Sequence, residues 1–497
     1  MKNTIKFMIG LLAIGLVSCE PEFENAVTDE GFYDAGDADF SNYVSLGNSL
    51  TAGYADGALY RSGQEDSYPN IMAEQFGFVG GGDFTQPLTS DNLGGLLLGG
   101  QQILGNRLVL SADENGNPFP TPLDGTPTTD VTTSEAGPFN NMGVPGAKSY
   151  HLVTPGYGSV AGVANGTANP WYARFATSES STVLADAASL NPTFFSLWIG
   201  NNDILGYATS GGSGVDQTGN LDPSTYGGND ITDPNVFAAA YSAQVDALVA
   251  GGAKGVLLNI PDVTSIPYFT TVPPRSIPLD AATADLLNGG FAAYNGGLAA
   301  AQAFGLISAE EVTNRTITFV EGLNAVTMED EYLTNLSSLG LPSWRQATMN
   351  DKIVLPAIGL IGTTVDGNPT QINGVSVPLA DGIVLSYDEI AETQARTVQF
   401  NATIETITAQ QGWALYDAYG ILNQAVTQGV AFDDYVMTTD LVFGGFFSLD
   451  GVHTTARGSA LIANGMMEAI DAHYGSNLSD AAVKAGDYPT NYSPNLR

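Results

Sequence analysis

The chain has 497 residues, of which 52 are Asp or Glu and 15 are Lys or Arg, for a formal net charge of −37. A field of that sign repels phosphate backbones and excludes nucleic acid as a partner. Hydrophobic residues make up 43% of the chain, and with no long charged low-complexity block to interrupt them most of it can build a core.

Lys2 and Lys6 precede an apolar stretch from Phe7 to Val17, followed by Ser18 and Cys19. That order is the signature of a secretory signal peptide. The stretch is well short of the roughly 20 residues that a membrane-crossing helix needs, so residues 1–18 are a targeting segment. Cys19 is the single cysteine, and one thiol cannot form an intrachain disulfide. Leu16-Val17-Ser18-Cys19 resembles the lipobox of bacterial lipoproteins. The resemblance implies that Cys19 is lipidated, becomes the first residue of the mature chain and ties the exported protein to the outer membrane. Glu20-Pro21-Glu22-Phe23-Glu24 resembles the acidic tether of surface-exposed lipoproteins of the Bacteroidetes and reads equally as a solvated linker, so residues 19–40 are expected to be a tether on either face of that membrane.

One large domain is expected over residues 41–477. Asn42 to Leu46 reads as a short buried strand ending at Gly47. Tyr68 to Phe76 has the early proline and the apolar spacing of a helix. Residues 77–137 are rich in Gly, Pro, Asp and Thr and suit an insertion of hairpins and loops. Helices are expected over 182–190 and 235–249, each followed by an apolar strand, Thr193 to Ile199 and Gly255 to Ile260. This alternation predicts an α/β fold with a mostly parallel sheet covered on both faces.

A second insertion is expected near residues 263–380, with an Ala-rich helix from Ala281 to Ala303 and hairpin turns at Asp366-Gly367 and Asn373-Gly374. The α/β rhythm returns with a helix over 388–409, a strand at Trp413 to Tyr416 and a last helix from Thr455 to Tyr474. Residues 478–497 read as a loose polar tail.

Gly47-Asn48-Ser49 follows the first strand directly. A serine there sits at the carboxyl edge of the sheet, where open α/β folds place ligands. Three further segments follow in order: Asn141-Met142-Gly143-Val144-Pro145-Gly146, Gly200-Asn201-Asn202-Asp203 and Asp450-Gly451-Val452-His453. Together the four resemble the sequence blocks of the SGNH, or GDSL-type, hydrolase superfamily of lipases and esterases. They frame nearly the whole mature chain while covering few of its residues. Asn48 departs from the family's spelling, in which Asp is usual at that place.

The resemblance implies a flavodoxin-like three-layer α/β/α fold with large insertions. It also implies Ser49 as nucleophile, His453 as base and Asp450 as the acid that orients the imidazole. Ser49 N–H, Gly146 N–H and the Asn202 side chain would form the oxyanion hole. The residue types suit the chemistry, since a serine hydroxyl is a poor nucleophile until a base takes its proton and the resulting imidazolium needs a partner. Of the three histidines, His151, His453 and His473, only His453 has an acid three residues before it. Gly143 competes with Gly146, and Asp262 and Asp417 compete with Asp450, although both of those acids read better as helix caps.

Asp113, Asn115 and Asn117 alternate like calcium ligands, but Pro118 stands where an EF-hand loop requires glycine. No Cys/His cluster or phosphate-cradling loop occurs, so neither metal nor cofactor is implied. The expected partner is an ester substrate, either an acyl lipid or an acetylated glycan, with apolar runs such as Leu96 to Leu98 and Ile353 to Leu355 lining an acyl pocket or simply the core of an insertion. The competing expectation is a surface binding or adhesion lipoprotein that keeps the scaffold without catalysis.

Overall fold

Strand β1 (Tyr43–Gly47) is buried along its whole length, as a parallel strand covered on both faces is. The computed structural model describes residues 32–112 and 114–497. Cys19, the run from Glu20 to Glu24 and Asp113 lie outside the described residues. No helix among the described residues is long and apolar enough to cross a membrane.

Four more strands join β1: β2 (Asn141–Gly143), β3 (Phe194–Trp198), β4 (Lys254–Leu258) and β5 (Ala414–Tyr416). All pairings are parallel, in the order β5-β4-β3-β1-β2. The chain therefore steps from β1 to one side and returns past it to the other, which makes the carboxyl end of β1 a topological switch point.

The connections are helical. Tyr68–Phe76 follows β1, Val183–Ser189 precedes β3 and Pro234–Val249 precedes β4. A long helix, Tyr387–Gln411, precedes β5, and Ala456–Tyr474 closes the α/β unit. Tyr68–Phe76 packs with Ala456–Tyr474, while the other three form a second group. Helices on both faces fit a three-layer arrangement. The main core lies between sheet and helices around Val44, Phe194, Phe195, Leu257 and Ile462.

The two insertions differ in kind. Residues 77–137 form two hairpins, Leu96–Leu98 with Gln101–Leu104 and Leu108–Ala112 with Pro118–Pro122. The second insertion has its own hydrophobic cluster around Phe291, Leu298, Ile317, Met328 and Leu379, built against the helix Ala281–Ala303. Asp366-Gly367 turns a hairpin between Thr364–Val365 and Asn368–Ile372, with both residues at positive φ, as a tight hairpin turn demands. Asn373-Gly374 departs from expectation. It closes a turn through Val375 N–H to Ile372 O at 3.1 Å but joins no strand pair.

The tail departs as well. Leu478 and Ala485 are fully buried, and Arg107, itself buried, donates from Nη2 to Ser493 O at 3.0 Å and Leu496 O at 3.1 Å. A guanidinium out of water needs acceptors, and the chain end supplies them.

Gly47 sits where β1 must pass close to its surroundings. A Cβ there would lie 2.1 Å from Thr51 Oγ1 and 2.5 Å from Trp198 O. Gly47→Ala is expected to cost about 1–3 kcal/mol through overpacking. Gly251→Ala, with open space around it, serves as the control. Equal urea-denaturation midpoints for the two variants would contradict this account.

Candidate active site

The strand-to-helix turn after β1 positions Ser49. Asn48 caps a short helix, Ser49–Ala52, by accepting from Leu50 N–H at 3.1 Å, and Gly53 ends it at φ 79°. The other end of the Asn48 amide donates to Asn201 Oδ1 at 3.0 Å. Asn48 thus ties the first block to the third. An aspartate would lack that donor.

Asp450 and His453 occupy a loop that folds back on itself, with Ser448 N–H donating to His453 O at 2.8 Å and Thr455 N–H to Phe446 O at 3.0 Å. Asp450 Oδ1 accepts from Val452 N–H at 2.8 Å and His453 N–H at 2.9 Å. This is an Asx turn, and it explains the three-residue spacing. One carboxylate oxygen caps the turn while Oδ2 meets His453 Nδ1 at 2.8 Å. On the far side of the ring, Nε2 lies 2.9 Å from Ser49 Oγ. Gly451, between them, has φ 71° and accepts at its carbonyl from Tyr268 N–H at 2.9 Å. The root of the second insertion thereby anchors the loop.

Burial pushes the Asp450 carboxyl up, but the charge of His453 and the hydrogen bonds from His453 and Val452 outweigh it and hold the carboxyl at about 2. As a carboxylate it accepts, so Nδ1 carries the proton between them. Nε2 is then left with the lone pair that accepts from the Ser49 hydroxyl. The arrangement is able to draw a proton from serine and stabilise the imidazolium that results.

A second carboxylate lies beneath the first. Asp56, at φ 53°, accepts from Leu449 N–H at 3.0 Å and from the Tyr60 hydroxyl at 2.8 Å. Its own N–H donates to Ser448 Oγ at 3.0 Å, and that hydroxyl donates to Asp450 Oδ1 at 3.1 Å. Gly57 N–H donates to Asp450 Oδ2 at 2.8 Å. Burial pushes the Asp56 carboxyl up to about 6 against the Leu449 and Tyr60 hydrogen bonds, and the neighbouring Asp450 charge adds to the rise. Sequence reasoning missed Asp56, Gly57 and Ser448. The local Asp-Gly pair signals only a turn, and its partners stand some 390 residues away.

The second and third blocks meet beside the serine. Asn202 opens a helix, Asn202–Thr209, and its Nδ2 donates to Ala147 O at 2.9 Å. Fully buried Asp203 accepts from Ser149 N–H at 2.8 Å and Ser149 Oγ at 2.7 Å. Gly143 N–H is taken by Asn141 Oδ1 at 3.0 Å, and a Cβ on Gly143 would lie 2.3 Å from Ala52 N. Its part is close packing. Gly146, exposed at φ 79°, stands in a turn closed by Ala147 N–H to Val144 O at 3.1 Å. Neither Gly146 N–H nor Ser49 N–H has an acceptor among the described residues. Asn202 and Ser49 line one cavity together, whereas Gly146 lies outside its wall.

The remaining candidates are structural. Asp262 and Asp417 cap turns at Thr264 and Gly420. His151 accepts from Lys148 N–H at 3.1 Å, and burial with the Lys148 charge lowers it to about 4. His473 is exposed and donates to Gly412 O at 2.7 Å. No group of three metal-ligating side chains forms among the described residues.

Comparison with models of protein families, with characterised proteins and with solved structures gives no match.

The folded chain keeps the Asp56 proton to about pH 6, whereas an unfolded chain releases it near 3.8. Because the folded value is the higher one, stability from this group falls as the pH rises from about 4 to about 6, by roughly 3 kcal/mol. Asp56→Asn should lack that fall. Denaturation curves of wild type and variant that shift in parallel between pH 4 and 7 would show the assignment to be wrong.

Proposed function

We propose that this chain is a serine ester hydrolase of the SGNH, GDSL-type fold, working through an acyl-enzyme on Ser49. The observation that carries the reading is the continuous chain from Ser49 Oγ to His453 Nε2 at 2.9 Å and from His453 Nδ1 to Asp450 Oδ2 at 2.8 Å. Binding alone would not need a nucleophile, a base and an orienting acid in mutual contact, which weighs against the adhesion alternative.

In this reading Ser49 Oγ attacks the ester carbonyl carbon while its proton passes to His453 Nε2. The carbonyl oxygen takes up the negative charge, and Ser49 N–H, Gly146 N–H and Asn202 Nδ2 supply donors for it. Asn202 gives one of its two hydrogens to Ala147 O, which holds the amide in place with the second still available. His453 returns its proton to the departing alcohol oxygen as the carbon–oxygen bond breaks. Water, deprotonated by His453, then attacks the acyl-enzyme, and the carboxylic acid leaves as Ser49 regains its proton. The cycle calls on no cofactor. Export and attachment to the outer membrane through lipidated Cys19 complete the proposal.

Hydrolysis of p-nitrophenyl esters tests it. Ser49→Ala and His453→Ala should each lower kcat by about 10⁴-fold or more, and Asn202→Ala by about 10²–10³-fold. Equal rates for wild type and Ser49→Ala, or no turnover across a panel of esters, would rule the reading out.

A further inference from the structure

We propose that the substrate carries an apolar acyl chain, rather than an acetyl group on a sugar, and that this chain lies in the cavity beside Ser49. The inference rests on the acyl-transfer reading and names the substrate class for the same site.

About 660 Å³ of space, open solvent at its mouth included, lies beside the serine, with Ser49, His453 and Asn202 on its wall. Past them it is walled by Trp198, Ile266, Ile421, Leu422, Phe446 and Phe447. The chain has 52 acidic residues, yet no carboxylate and no lysine or arginine lines this space. Three of the polar side chains on its wall are already engaged. Asn48 donates to Asn201, Trp198 Nε1 to Asn259 O at 3.2 Å, and Thr454 Oγ1 pairs with Ser459 Oγ at 2.9 Å. The Tyr416 hydroxyl has no hydrogen-bond partner among the described residues, but it is buried against Gly465 with no surface open to a ligand. A sugar placed here would surrender water without receiving hydrogen bonds in return, a loss for each hydroxyl. An alkyl chain loses nothing and gains for every methylene removed from water.

The cavity suits the acyl side of the ester rather than the alcohol side. The acyl group stays bonded to Ser49 Oγ through the second half of the cycle, while the alcohol must leave before water can attack. An enclosed apolar recess serves the group that remains. Most of the wall comes from the α/β scaffold: Trp198 ends β3, Ile421 and Leu422 belong to the helix after β5, and Phe446 and Phe447 to the loop before Asp450, while Ile266 comes from the root of the second insertion. The runs Leu96 to Leu98 and Ile353 to Leu355, considered from sequence as an acyl pocket, form no part of it.

Two ester series on the whole protein test the proposal. With p-nitrophenol as the constant alcohol, kcat/KM should rise about fourfold per methylene from acetyl to hexanoyl, on the order of a hundredfold in all. With hexanoyl as the constant acid, followed by acid release, lengthening the alcohol from methyl to hexyl should change it less than threefold. Ile421→Trp, which fills the cavity, should lower the hexanoyl-to-acetyl ratio at least tenfold, and the wild-type series stands without it if that variant fails to fold. A flat or falling acyl series, or a preference governed by the alcohol, overturns the acyl-pocket inference while leaving the esterase reading intact. Absence of turnover on every ester overturns both.

Discussion

The site depends on one constraint, the level register of three parallel strands. Gly47 stands opposite Gly143 on one side and Trp198 on the other, so β2, β1 and β3 end together. Three turns leave that line at the same height and converge above it. The two glycines let the backbones approach that closely, because side chains there would collide with Thr51, Trp198 and Ala52. A shift in register would separate Ser49 from Asn202, whatever their own conformations.

The fourth element arrives by a different route. Asp450 and His453 are arranged by hydrogen bonds within their own loop, and the loop is then fastened from two directions. Asp56 and Gly57, just past the serine turn, hold it through Leu449, Ser448 and Asp450. Tyr268, at the root of the second insertion, holds it through Gly451. The same short stretch after β1 therefore presents the serine and supports the carboxylate that faces it across the imidazole. Two carboxylates in contact with one loop are driven apart by their settings. Asp450 is held ionised by His453, while burial raises Asp56 to about 6, so below that pH the loop faces one carboxylate charge in place of two.

The second insertion has enough apolar surface for a cluster of its own, while Val263, Ile266, Phe269 and Val354 join it to the main core. Its root, at Ile266 and Tyr268, is the part that reaches the site. The polar chain end, too, is recruited into structure, because Arg107 is buried and requires carbonyl partners.

Local pattern located many of the elements, and the resemblance of four short blocks picked out the candidate site residues. Tyr68–Phe76 and Ala281–Ala303 were legible to the residue, because capping residues and apolar spacing act over a few positions. Ser49, Asn202, Asp450 and His453 were singled out by the order of those blocks, and the fold brings Ser49, His453 and Asp450 into contact. The resemblance favoured Gly146 over Gly143, and the tertiary structure adds that Gly143 N–H is spent on Asn141. Asp56, the packed tail and the apolar cavity were out of reach of the sequence. Each is made by contacts between segments far apart in the chain, and no local pattern records which distant carbonyl, carboxylate or aromatic ring will be brought alongside.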